Sequence, residues 1–122
     1  SALNYATSSD EKITLTKDGK YLKGRFTGKI ENAGTPFCEG GSCLEELIIY
    51  EGEEEIKGIG FYKKRNDVSL VLVGNTILAI EIDNTNFQNI QPLYKGKEPL
   101  FAISETGNLL IFDGGVLMSV EW

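Results

Sequence analysis

Two cysteines, Cys38 and Cys43, frame the stretch CEGGSC, and the chain contains no histidine. The lack of histidine removes the commonest general base, the usual zinc ligand and every Ser-His or Cys-His nucleophile system. Zinc held by these two thiolates would need carboxylates in its remaining positions, outside the usual Cys-rich or Cys-His set. A thioredoxin-type redox pair needs C-x-x-C at a helix start, and the spacing here is C-x4-C between strand-like segments. Two readings are left: two reduced thiols in a cytosolic protein, or a local disulfide closing the loop Glu39-Gly40-Gly41-Ser42. The paired glycines allow the tight path of such a ring, and the disulfide is the reading we favour. It would add on the order of 2 kcal/mol, the small end of the range, because the loop is short. It places the protein in an oxidising setting: secreted, periplasmic or cell surface.

The remaining candidates for chemistry are carboxylates. Glu51, Glu53, Glu54 and Glu55 crowd one turn, and charge runs of this kind ordinarily face water. Calcium is the functional alternative, but the Asp-rich spacing of a calcium loop is absent. Asp83-Asn84-Thr85-Asn86 is a second oxygen-rich turn, which turn formation by Asp and Asn explains without a metal. Glu81 stands out inside the apolar run ILAIEI. Burial there would raise its pKa, whereas a rim position would leave it facing water; the rim is expected. No catalytic residue, metal site or cofactor is assigned, and the chain is expected not to be an enzyme.

The elements that position these groups are strands. At 122 residues the chain is expected to form one β domain over residues 1–122 with a real core. Lys17-Asp18-Gly19-Lys20 predicts a hairpin turn, with Leu15 opposite Leu22 and Ile13 opposite Gly24. Leu22, Gly24, Phe26, Gly28 and Ile30 then share an apolar face. A second hairpin is expected over 44–64, turning near Gly52-Glu53, with Ile49 against Ile56. A third covers 67–82 and turns at Gly74-Asn75. A fourth covers 100–112 and turns through Thr106-Gly107-Asn108. Asp113-Gly114-Gly115 then leads into a last strand, 116–122. No segment has a capped 3.6-residue period, so little or no helix is expected.

The fold class predicted is all-β, an antiparallel up-and-down meander of about nine strands closing into a small barrel. A β-sandwich is the alternative. The barrel is favoured by Gly24, Gly28, Gly58 and Gly60, since inner-face glycines let a small sheet bend. VSLVLV (68–73) and ILAIEI (77–82) are apolar on both faces and need a second cover. The segment 83–99, with Phe87, Ile90, Leu93 and Tyr94, is the expected cover; a second subunit or a partner is the alternative.

The net charge is −6, so nucleic acid is not an expected partner. Residues 31–55 hold eight acidic groups and no basic one. Their strand is expected to pair with basic neighbours across the sheet; a patch steering a basic partner is the alternative. No run is apolar enough for a transmembrane segment. The chain opens at Ser1 without an initiator methionine, as a processed chain does.

SETGNLLIFDGGVLMSVEW (104–122) resembles the DGNLVLYD…W strand pattern of bulb-type mannose-binding lectins. Their sugar motif QxDxNxVxY would fall on Ser104, Thr106, Asn108, Leu110 and Phe112, and Asn108 alone matches it. The resemblance therefore implies strands and no sugar site. GTPFCEGGSCLEELIIYEGE resembles the cysteine loop and following strand of NlpE-like lipoproteins, whose motif is C-x-x-C.

The function expected is that of a non-enzymatic binding module, presenting loops on a β scaffold to a protein, a glycan or a small apolar ligand. Candidate contacts are Phe37 and Glu39 beside the cysteine loop, and Phe87 and Tyr94 in the long segment. The alternative is an assembly subunit of a surface filament or coat. It would self-associate through its C-terminal strands or swap its N-terminal segment SALNYATSSDEK into a neighbour.

Overall fold

The computed structural model describes residues 5–7, 13–26, 46–62, 67–82 and 89–120, and the backbone of 38–39 and 42–43. It is all-β, and no helix occurs among the described residues. The first sheet contains β1 (Tyr5–Thr7), β2 (Ile13–Asp18), β3 (Tyr21–Phe26) and β6 (Glu46–Glu51), in that spatial order. Between β3 and β6 in the chain, β4 (Cys38–Glu39) and β5 (Ser42–Cys43) form a hairpin of their own. The second sheet is a meander of β7 (Ile56–Phe61), β8 (Val68–Val73), β9 (Thr76–Glu81) and β10 (Ile90–Lys95). The third contains β11 (Leu100–Ile103), β12 (Leu109–Asp113) and β13 (Val116–Val120). Every pairing is antiparallel.

The expected barrel does not form. The three large sheets stack face to face, with the second in the middle. One core joins the first sheet to the second through Ile13, Leu15, Leu22, Leu47 and Ile49 on one side. Ile59, Phe61, Val71, Ile80 and Ile82 meet them from the other. A separate core joins the second sheet to the third, where Val68, Leu70, Leu72, Ile77 and Ala79 meet Leu109 and Ile111. This explains why β8 and β9 are apolar on both faces: each face has a sheet of its own. Segment 83–99 provides only part of the expected cover, through Leu93 and Tyr94; residues 83–88, including Phe87, lie outside the described residues.

Gly58 and Gly60 serve close packing and not barrel curvature. They lie opposite Leu72 and Leu70, under the ring of Phe101. A Cβ at Gly60 would stand 3.1 Å from Phe101 Cε2. Gly24 is buried opposite Leu15, and Gly28 lies outside the described residues.

Two pairings differ from expectation. β6 and β7 do not form a hairpin. β6 pairs with β3 and β7 with β8, so the turn through Gly52-Glu53 carries the chain from one sheet to the next. Ile49 and Ile56 still meet, but as core residues and not as ladder neighbours. In the first hairpin the turn residues are Gly19 and Lys20, with Asp18 paired to Tyr21 and Leu15 to Gly24. Gly19 takes the positive φ, 59°, that the first turn position demands. The pairing shifts by two residues, so the apolar face is preserved. The other hairpins turn as expected, at Gly74-Asn75 and Gly114-Gly115 and through Gly107.

The acidic β6 is an edge strand beside the basic β3, with Arg25 opposite Glu46. It has a basic strand on one side and not on both.

Candidate functional site

The described residues contain no group of three or more acidic or cysteine side chains able to hold a metal ion. Glu51, Glu53, Glu54 and Glu55 are exposed, as expected for a solvated turn. Glu81 is half-buried at the end of β9, and its amide donates to the Asn89 carbonyl at 3.0 Å.

One polar cluster is built with care. The Tyr94 hydroxyl donates to Asp113 Oδ2 at 2.6 Å. The Lys97 amide donates to the same oxygen at 3.2 Å, and the Glu98 amide to Oδ1 at 3.0 Å. A Cβ on Gly96 would collide with the Asp113 carboxylate, so glycine lets the chain pass this close. The Tyr94 hydrogen bond, followed by the Glu98 amide, holds the Asp113 carboxyl below its ordinary pKa. The same bond, together with desolvation, raises the Tyr94 phenol. The cluster ties the segment after β10 to the end of β12 and leaves no free nucleophile or base. Tyr94, a candidate contact in the sequence, is half-buried and packs on the second core.

The cysteines sit on β4 and β5. Glu39 pairs with Ser42 and Cys38 with Cys43; Gly40 and Gly41 lie outside the described residues. Phe37 lies outside the described residues.

Among the described residues, the outer face of the third sheet is exposed and uncharged. Phe101, Ile103, Leu109, Ile111, Met118 and Val120 face the core. Their neighbours along the strands face outward, and the register aligns them in two rows. Leu100, Phe112 and Leu117 form one row; Ala102, Leu110 and Ser119 form the other. Leu100 is 60% exposed, Phe112 47% and Leu117 65%. The opposite end of the stack differs. The outer face of the first sheet carries Thr14, Thr16, Lys23 and Arg25 beside Tyr5, Tyr21 and Ile48. The alternation in LFAI, LLIFD and VLMSV contained the signal for the apolar face, but the sequence does not show which side a neighbouring sheet covers.

No family model matches the chain, and no solved structure matches it. The chain is similar to a curated protein of Caenorhabditis elegans, Protein irld-34, at 27% identity over 85 residues. The match covers 68% of this chain and 21% of that protein. The chain thus spans about a fifth of the length of the curated relative, whose name carries no activity.

Proposed function

We infer that this chain is a non-enzymatic recognition module that presents the outer face of its third sheet to a protein partner. The carrying observation is the uncharged double row Leu100-Phe112-Leu117 and Ala102-Leu110-Ser119, whereas the outer face of the first sheet mixes Lys23 and Arg25 with Tyr5, Tyr21 and Ile48. Apolar surface gathered on one face marks interaction sites more often than scattered exposure does. A glycan is less well served, because this face offers a single hydroxyl. A small apolar ligand is less well served too, because the inner apolar faces of the described sheets are buried against one another. The partner class favoured is a protein with a flat apolar surface.

The oxidising setting is the companion proposal. In a two-residue hairpin the residues flanking the loop form the hydrogen-bonded pair, and the next pair outward is the closer one. Cys38 and Cys43 are that next pair. Such pairs have Cα atoms about 4.5 Å apart, within the range a disulfide spans.

Two measurements test these readings. Phe112→Lys with Leu117→Lys should abolish capture of partners from an extracellular protein fraction, while Thr16→Lys on the first sheet leaves it intact. Equal capture by both variants would remove the face from consideration. The intact mass of the native protein should rise by two hydrogens on reduction; thiols that alkylate without reductant would remove the compartment argument.

A further inference from the structure

The three large sheets repeat one plan. In each, the second and third strands meet at a turn that opens on a glycine: Gly19, Gly74 and Gly114, all with φ of 59°. In the first two sheets the segment after the fourth strand returns to this turn. The Gly52 amide donates to the Lys20 carbonyl and the Gly96 amide to that of Asn75, in each case the residue after the turn glycine. The two segments share a spacing, Tyr50-x-Gly52-x-Glu54 and Tyr94-x-Gly96-x-Glu98. β1, β7 and β11 are the first strands of their sheets, and β7 closely approaches β1 and β2 on one side and β11 on the other. Antiparallel sheets that meet at their first strands follow one another as the blades of a β-propeller do.

When the sheets are aligned on the turn glycine, each turns the same positions to the sheet that follows. Leu15, Leu22 and Gly24 of the first sheet lie on the side of the second. Leu70, Ile77 and Ala79 hold those positions in the second sheet and face the third. Leu110, Leu117 and Ser119 hold them in the third. The last position is small every time, which leaves room for a covering side chain. The first strands agree: Gly58 of β7 lies under Phe101, and Ala102 of β11 occupies the matching place, counted from Gly52 and Gly96.

The opposite face of each sheet is the one that covers. Val71, Leu78 and Ile80 of the second sheet pack toward the first. Ile111, Met118 and Val120, at the same positions in the third, pack toward the second. In the first sheet these positions hold Thr16, Lys23 and Arg25.

We propose that the flat partner of the third sheet is another antiparallel sheet of this plan, seated on Leu110, Leu117 and Ser119 as the third sheet is seated on the second. The proposal rests on the recognition reading and names the partner of its face. Continuity with the two existing cores carries it. The positions that receive a neighbour twice within the chain are the ones this face presents a third time, and two sheets of like twist pack about 10 Å apart with their side chains interleaved. The partner sheet must carry aliphatic residues where the second sheet has Val71, Leu78 and Ile80. The first sheet of a second copy does not meet that condition, because it would set Lys23 and Arg25 against an uncharged face.

The test supplies the missing pattern. A probe chain carries Thr16→Val, Lys23→Leu and Arg25→Ile, which give its first sheet the covering face, and Phe112→Lys with Leu117→Lys, which block its third. Mixed with the unaltered chain in sedimentation velocity, the probe should form a one-to-one complex. Its dissociation constant should be on the order of 10 µM, as for a contact at the small end of specific interfaces. Phe112→Lys with Leu117→Lys in the receiving chain as well should weaken the complex at least tenfold. If the five substitutions prevent folding, Lys23→Leu with Arg25→Ile alone should make the chain self-associate, and adding Phe112→Lys should reverse it. No association up to millimolar concentration, or association insensitive to Phe112→Lys, overturns the proposal. The probe stands in for the natural partner, so failure here leaves the capture experiment standing, and failed capture leaves the complex standing.

Discussion

Asp113 shows how one carboxylate fixes two segments. Three donors reach it, and each bond is made to the charged form. Its folded pKa therefore lies below the ordinary carboxylate value of about 3.9. The associated stability is complete above that value and disappears as pH falls through the depressed one. Tyr94→Phe removes the leading cause. The Asp113 carboxyl should then titrate higher, and the midpoint of acid unfolding should rise with it. Carboxyl chemical shifts against pH measure the first, and circular dichroism the second; an unmoved Asp113 titration would contradict the assignment. The Tyr94 phenol has the opposite sense. Its raised pKa contributes stability below about pH 10, lost as pH rises through the folded value. None of this was legible in the sequence, where Tyr94 and Asp113 stand far apart and Asp113 reads only as a turn residue.

At the scale of elements, β7 and β11 illustrate how glycine spacing is used. Gly58 and Gly60 lie on the same face, but their surroundings differ. A Cβ at Gly58 would meet Leu72 at 3.9 Å and Phe101 at 4.0 Å, ordinary contacts; at Gly60 it would press the Phe101 ring at 3.1 Å. Gly58→Ala should be near neutral, with unfolded-chain entropy in its favour. Gly60→Ala should be about 1 kcal/mol less stable than Gly58→Ala, since the ring must shift in a packed core. Urea unfolding of both variants checks the ordering; equal stabilities would mean that the ring moves freely. The alternation that located β2, β3, β8, β9, β11, β12 and β13 was local, and so it could be read. The partner of β6 was not, because pairing across sheets depends on distant residues. β10 was hidden within segment 83–99, read as a cover for its apolar residues; Pro92 is tolerated in it because β10 is an edge strand. The cysteine hairpin read as a loop because a two-residue ladder is too short for alternation to register.

For the whole molecule, serial stacking means that the two cores share no residue. The middle sheet is held from both sides, and the outer sheets from one. Amide exchange should therefore be slowest in β8 and β9, at Leu70, Val71 and Ile80, and faster throughout the third sheet. Uniform protection across all three sheets would instead show a single cooperative unit. The middle position also carries a hazard. VSLVLV is uncharged, rich in β-formers and free of proline, the composition from which cross-β fibrils grow. In the native stack each of its faces is sealed by another sheet. If the third sheet opens, Leu70 and Leu72 become wet while β8 is still extended. The outer sheets thus act as gatekeepers against aggregation, and variants that loosen them should fail by forming fibrils before they fail by losing their strands.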